Sequence, residues 1–218
     1  METEYWIERW QEGKIGFHAD EVNEQLTKFW PTFPVDKACP VLVPLCGKSL
    51  DMVWLRSRGH PVIGIEASEI ACRQFFEEQN LKPKVTEKDD FLIFEAGGYQ
   101  LYCGDFFDFP SRYLPDNFSI FDRAALVALS KSARHCYASK LCELAACDTT
   151  MLLITLRYVQ KVMDGPPFSI QPEEIRTLFS HSFKIQPLVS VNKIDQLQKF
   201  KDRGLNEVWE ETYKLSRS

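Results

Sequence analysis

Short apolar runs alternate along this chain with longer stretches whose apolar positions recur every three to four residues. The run Val41-Leu42-Val43-Pro44-Leu45 predicts a first strand, because continuous apolar residues suit a strand buried on both faces. It stops at Cys46-Gly47-Lys48-Ser49, where Ser49 is placed to cap a helix carrying Leu50, Val53 and Trp54 on one face. Gly59-His60 closes that helix. Pro61 to Ile65 reads as a second strand, followed by Glu66. Ser68 opens a helix with Ile70, Cys72, Phe75 and Phe76, ending near Asn80. Residues 91–94 and 99–103 are predicted strands joined by Gly97-Gly98 as a hairpin. Further strands are expected at 118–121, 151–156, 183–188 and 207–215, with helices near 132–147 and 173–179.

Strands alternating with helices predict an α/β fold: a mostly parallel sheet with helices on both faces. The last two strands have little helix between them, which predicts an antiparallel edge at the C-terminal end. No repeat, low-complexity segment or long linker interrupts the pattern, so residues 1–218 are expected to form a single domain. A chain of 218 residues buries enough surface to need no covalent staples. Its seven cysteines are scattered without a Cys-x-x-Cys pair. They read as small buried hydrophobes rather than a disulfide framework.

Charge narrows the function classes. The net charge of −5, from 26 basic and 31 acidic side chains, disfavours a nucleic-acid partner, which needs a basic patch. The N-terminus lacks the cationic start and apolar run of a signal peptide, and no apolar run approaches the ~18 residues of a membrane span. A cytoplasmic protein without membrane association is expected.

Ligands of open α/β sheets bind outside the carboxyl ends of the strands, so those ends carry the candidate chemistry. The first, Pro44 to Ser49, contains Gly-Lys-Ser. A phosphate loop needs a further glycine five residues before Gly47, and that position is Leu42. The dinucleotide pattern Gly-x-Gly-x-x-Gly is absent too, which favours a ligand without a pyrophosphate. Glu66 closes the second strand at the distance where a carboxylate holds a ribose diol, since both its oxygens accept. An acid favoured by a helix N-terminus reads equally well there. Cys103-Gly104-Asp105-Phe106 is either an adenine-edge contact or an ordinary turn. Asp122-Arg123, directly after an apolar strand, either faces the cleft or forms a structural ion pair.

The segment before the sheet adds aromatic groups. Trp6 and Trp10 are four residues apart on one helical face, followed by Gly13, Gly16, Phe17 and His18. They read either as a lid that folds over a cleft or as side chains packed on the sheet. Gly165-Pro166-Pro167-Phe168 is a rigid turn with an aromatic tip. No metal site is expected: His135 and Cys136 with Cys142 and Cys147 lack ligand spacing. No Gly-x-Ser-x-Gly elbow marks a serine hydrolase either.

These segments together resemble the thiopurine S-methyltransferases. The matching residues are Trp6 and Trp10, Gly13 to His18, Val43 to Met52, Gly59-His60 through Glu66, Asp122 to Leu126, and Gly165 to Phe168. They spread over nearly the whole chain, and the short stretch before the first strand is more similar to the bacterial branch than to the animal one. The resemblance implies a seven-stranded Rossmann-like class I methyltransferase sheet, S-adenosylmethionine as cofactor and a monomer. Residues 1–35 would form a helical lid over the cofactor cleft. By the same resemblance, Leu45 and Gly47 contact the cofactor's amino-acid portion, Glu66 its ribose, and Asp105 and Phe106 its adenine. Trp10 and Trp6 cover it, and Arg123 lines the site beside cofactor and acceptor. Phe17 faces the acceptor. Lys199 stands in a region where the family often carries arginine.

The reaction so implied is in-line transfer of a methyl group to a small-molecule thiol, with thiopurines and other heterocyclic thiols as acceptors. Catalysis would come mainly from alignment. A thiol attacks as its thiolate, so Arg123 is expected to favour the anion and Asp122 to orient Arg123 or relay a proton. Three alternatives stay open: selenium or tellurium compounds as acceptors, a nicotinamide-dependent oxidoreductase of similar fold, and a module that binds the cofactor without transferring from it.

Overall fold

Residues 41–44 and 62–66 are buried at every position, as strands covered on both faces must be. The computed structural model describes residues 2–217. The chain divides into two compact units, one up to Phe121 and one from Asp122 on.

In the first unit β1 (Val41–Pro44) and β2 (Val62–Glu66) pair in parallel, from Val41 with Val62 to Pro44 with Ile65. β5 (Tyr99–Cys103) pairs in parallel with β2, and β6 (Ser119–Arg123), which runs into the second unit, starts in parallel with β1. β4 (Phe91–Ala96) and β3 (Lys84–Lys88) extend the edge in antiparallel fashion, giving the order β3-β4-β5-β2-β1-β6. Gly97 and Gly98 turn β4 into β5 with φ of +62° and +87°, as a tight hairpin requires. Close packing at the centre depends on Gly64. A Cβ there would lie 2.5 Å from Leu101 and 2.7 Å from the Cys46 Sγ.

The helices start where their caps predict. Ser49 caps α3 (Leu50–Ser57) by accepting from the Asp51 N–H, and Ser68 caps α4 (Glu69–Glu78) by accepting from Ala71. α4 buries Cys72, Phe75 and Phe76. Phe75 meets Tyr99 edge-on at 5.0 Å and Phe76 stacks on Phe94 at 6.3 Å. Each fully buried phenylalanine contributes about 2 kcal/mol. Before the sheet lie α1 (Glu2–Gln11) and α2 (Glu24–Phe29). The Asn23 side chain caps α2, and its backbone N–H donates to the buried Asp51 at 2.8 Å, which ties α2 to the first turn of α3. Trp30 Nε1 donates to His60 Nε2 at 3.1 Å, and His60 Nδ1 lies 3.0 Å from the Cys39 carbonyl.

The second unit contains α5 (Lys131–Leu144), β7 (Thr150–Arg157), α6 (Pro172–Phe179), β8 (Lys184–Asn192), the short α7 (Gln198–Lys201) and β9 (Trp209–Ser216). β9 lies between β7 and β8 and pairs antiparallel with both, the antiparallel arrangement expected near the C-terminus. A small core of Tyr158, Met163, Ile194, Leu205 and Val208 packs under the loops.

Nine strands form among the described residues, where the resemblance implied seven. β3 had no apolar signature, because its five residues (Lys-Val-Thr-Glu-Lys) line an exposed edge, where charged side chains prevent further pairing. The other strands begin and end within a few residues of the hydrophobic runs. The short α7 was not foreseen. Five of the seven cysteines are buried, and Cys136 and Cys147 are exposed.

Arg134 is the least expected core residue, at 4% exposure. It donates through Nε to the Leu129 carbonyl at 3.1 Å and through Nη1 to Glu174 at 2.7 Å, and its guanidinium stands 5.8 Å from the Phe168 ring centre. Removing one partner of such a pair strands the other charge. Glu174→Ala is therefore expected to lower unfolding free energy by about 3 kcal/mol, measured by urea denaturation. Arg134→Met combined with Glu174→Leu should recover most of the loss.

Candidate active site

The turn after β1 is conformationally demanding. Leu45 sits at φ +47° and Gly47 at φ +52°. For leucine this left-handed conformation costs about 1–2 kcal/mol, and strain of this kind collects at functional positions. Gly47 is held against the N-terminal helix: a Cβ added to it would lie 3.3 Å from the Trp10 indole. Trp10 is itself buried, at 5% exposure.

Glu66 is the polar centre of this turn. It is 6% exposed, yet both oxygens are bonded. Oε2 accepts from the Gly47 N–H at 2.8 Å and Oε1 from the Ser68 N–H at 2.9 Å. Burial raises its pKa above the ordinary value, while the N–H groups of Ser68, Gly47 and Ala67 pull it back. The carboxylate thus joins the turn after β1 to the start of α4. The helix-terminus reading of Glu66 is realised in the Ser68 bond. A carboxylate offers about four acceptor sites, so beside the N–H groups of Gly47, Ser68 and Ala67 this one retains acceptor capacity for a hydroxyl.

Asp105 follows β5. Its Oδ1 accepts from the Phe107 N–H at 2.8 Å and its Oδ2 from the Thr3 hydroxyl at 2.8 Å. The first bond makes Asp105 the cap of a single 3-10 turn that buries Phe106 to 2% exposure. The second ties α1 to the strand end across 102 residues. Trp6 and Trp10, on one face of α1, both meet Phe17 edge-on, at 5.1 and 5.7 Å between ring centres. Phe17 remains 38% exposed. The fold of the first unit therefore gathers Trp6, Trp10, Phe17, Leu45, Gly47, Glu66, Asp105 and Phe106 around the carboxyl ends of β1, β2 and β5.

The remaining candidates lie in the second unit. Asp122 is fully buried. It accepts from the Tyr137 hydroxyl at 2.8 Å and from the Leu126 N–H at 3.4 Å. Burial raises its pKa to about 6, against the pull of Tyr137 and the backbone N–H groups of Leu126 and Ala125. These bonds hold the turn after β6, in which Ala124 has φ +66°. Arg123 ends β6 and is partly exposed. Lys199 is an exposed residue of α7.

Three partners escaped the sequence: Thr3, the Ser68 backbone N–H and Tyr137. Ser68 was legible as a helix cap, but not as a donor to Glu66. Thr3 and Tyr137 carry no local signal, because each acts on a residue distant along the chain.

Comparison with known proteins places these features in a family. The sequence model of the thiopurine S-methyltransferase family matches residues 1–218. The thiopurine S-methyltransferase of Bordetella petrii is 41% identical over 217 residues, covering 100% of this chain and 99% of that protein. The Pseudomonas fluorescens enzyme of the same name is 40% identical over 216 residues, with 99% of each covered. Among solved structures, an S-adenosylmethionine-dependent methyltransferase from Anabaena variabilis shares the fold at a TM-score of 0.66 and 14% identity, over 99% of this chain and 95% of that one. An N1-methyltransferase from Burkholderia thailandensis, solved with S-adenosylhomocysteine, shares it at 0.62 and 12%, over 99% and 87%.

Asp122 has a measurable signature. Its carboxyl titrates near 3.8 in the unfolded chain and about 6 in the folded one. Between those values the folded state keeps a proton that the unfolded state has released. The stability Asp122 contributes is therefore greatest below pH 4 and falls as pH rises to about 6, by about 3 kcal/mol in all. Asp122→Asn removes this titration, since an amide can accept from Leu126 and donate to Tyr137. Urea denaturation between pH 4 and 7 should show the gap between the two proteins changing by that amount. Parallel curves would contradict it.

Proposed function

The chain belongs to the thiopurine S-methyltransferase family, and from that membership we propose that it transfers a methyl group from S-adenosylmethionine to the sulfur of a small-molecule thiol, with thiopurines and related heterocyclic thiols as acceptors. The observation that carries the reading is the buried Glu66 carboxylate, bonded to Gly47 and Ser68 beside the Trp10 indole.

The residues present fit the cofactor. Glu66 keeps acceptor capacity that a ribose hydroxyl can use. The strained turn at Leu45 and Gly47 offers backbone to the amino-acid portion, and Asp105 with the buried Phe106 offers a polar edge and an apolar face to adenine. Trp10 and Trp6 cover the cofactor, and the first 35 residues act as its lid, anchored by the bond from Thr3 to Asp105. Bound S-adenosylmethionine supplies a methyl group already activated by its sulfonium charge.

The protein's own work is then positioning and electrostatics. Phe17, exposed beside the two tryptophans, offers an aromatic face to the acceptor ring. An acceptor thiol with an ordinary pKa near ~8.5 is mostly protonated at neutral pH. The Arg123 guanidinium favours the thiolate, and loss of the thiol proton to solvent completes the step. Asp122 acts through the turn it holds rather than on the substrate. Lys199 lies on an exposed helix and serves as a peripheral contact for the acceptor. The protein acts as a single-domain monomer in the cytoplasm, a reducing compartment that suits its many unpaired thiols. Among the described residues no helix is long and apolar enough to cross a membrane.

Two variants separate cofactor binding from acceptor activation. Glu66→Gln loses one acceptor and places an amide N–H against a backbone donor. Calorimetric titration should show its affinity for S-adenosylhomocysteine falling about tenfold to a hundredfold. Arg123→Ala should bind S-adenosylhomocysteine as wild type does and lose about tenfold or more in kcat/KM with a thiopurine. The pH profile of kcat/KM should also move upward, toward the free thiol pKa. Full kcat/KM in Arg123→Ala would end the proposed role of the arginine. No binding of S-adenosylhomocysteine by the unaltered protein would end the cofactor reading.

A further inference from the structure

A cavity of about 440 Å³ lies between α6 and the β8–β9 ladder of the second unit. α6 lends it Pro172 and Arg176, the edge strand β8 lends Ile185 and Pro187, and β9 lends Glu211 and Tyr213. The strand register explains the grouping. Pro187 stands directly opposite Tyr213, and side chains two residues apart on a strand share a face. The ladder slips between Pro187 and Val189, and bulges of this kind collect beside functional sites.

Two polar groups of this cavity are left unused by the fold. Tyr213 is 4% exposed, and its hydroxyl has no hydrogen-bond partner among the described residues. Glu211 is 7% exposed. Its Oε1 accepts from Arg157 Nε at 2.7 Å and from the Ser190 hydroxyl at 3.0 Å. Its Oε2 is bonded to no described residue. Buried donors and acceptors are nearly always paired, and an unpaired one is costly. Here both belong to side chains that line the same open space.

We propose that this cavity is a binding site for an apolar α-amino acid. The ligand's ammonium donates to Glu211 Oε2. Its carboxylate accepts from the Tyr213 hydroxyl and pairs with the Arg176 guanidinium. Its side chain lies against Pro172, Ile185 and Pro187.

The charges favour a zwitterion. Arg157 pairs with Glu211, and Glu173 lies 3.4 Å from Arg176, so the cavity has no net charge with which to select a simple cation or anion. Arg176 and Glu173 are an exposed pair, 63% and 77% exposed. Such pairs are weak, which leaves the guanidinium able to grip a carboxylate through two N–H groups. Burial pushes the Tyr213 pKa up to about 12, so the hydroxyl remains a donor at neutral pH. The volume falls in the range of small-molecule sites.

The test titrates the isotope-labelled full chain with L-phenylalanine and follows backbone amide signals by nuclear magnetic resonance. Signals of residues 173–176, 185–186 and 211–213 should shift to saturation. Phenethylamine, which lacks the carboxylate, and 3-phenylpropanoate, which lacks the ammonium, should each bind about tenfold or more weakly. Tyr213→Phe removes one oxygen and Arg176→Ala alters an exposed side chain. Each should weaken L-phenylalanine about tenfold. Without ligand, Tyr213→Phe should be no less stable to urea than the unaltered chain, because the lost hydroxyl deserts no partner. Absence of saturation, or shifts confined to other residues, overturns the site. Equal binding of the three probes overturns the zwitterion. Full affinity in both variants removes Tyr213 and Arg176 from the carboxylate contact and defeats the proposal. A Tyr213→Phe chain that fails to fold would contradict the unpartnered hydroxyl, and Arg176→Ala would still decide the carboxylate contact. The titration uses no cofactor, so its outcome is separate from that of the S-adenosylhomocysteine experiments.

Discussion

The carboxylate of Glu66 is almost wholly withdrawn from water, and much of the first unit is arranged around that fact. An ionised group in such a place costs several kcal/mol unless it is hydrogen-bonded. Gly47 comes from the turn after β1, and Ala67 and Ser68 come from the entry to α4. These donors converge only if β1 and β2 pair in parallel with the register observed, and only if Gly64 lets Cys46 and Leu101 close in. The left-handed conformations of Leu45 and Gly47 follow from the same turn. Trp10 then seals the turn from the outer side, as part of a helix fastened at its start by Thr3 to Asp105.

The second unit meets a related constraint with different groups. Asp122 is buried at the end of an apolar strand and is held by a phenol and by backbone N–H groups. Its raised pKa expresses desolvation that these donors only partly offset. Arg134 reverses the pattern: a cation buried against a carboxylate, a carbonyl and an aromatic face. Such groups shape the loops that end the strands, at a cost in stability that a wholly apolar packing would avoid.

A methyltransferase of this kind needs little acid–base machinery, because its cofactor arrives activated. Positioning therefore dominates, which agrees with a set of candidate residues rich in aromatic and backbone groups around the carboxylates of Glu66 and Asp105. Three thiols, those of Cys46, Cys72 and Cys103, are buried in the same unit. Small polarizable side chains fill the tight space between α4, β2 and β5, where Gly64 already marks a shortage of room.

Much of this was legible along the chain. The apolar runs of β1 and β2, the serine caps of α3 and α4, the Gly97-Gly98 hairpin and the acid at position 66 are local signals, set by periodicity and by the few residues that tolerate a turn. The motifs around Trp10, Gly47, Glu66 and Arg123 sufficed to reach the family. The exposed strand β3 was not legible, because an edge strand without an apolar face has no period to read. Nor did the chain alone show what holds Glu66, Asp105 and Asp122. For each, a donor lies elsewhere: Gly47 is 19 residues from Glu66, Tyr137 is 15 from Asp122, and Thr3 is 102 from Asp105. Hydrophobic pattern and turn chemistry act over a few residues and are written in composition. Hydrogen-bond partnership and the burial that shifts a pKa exist only once the strands have registered and the helices have packed, so the tertiary structure alone decided them.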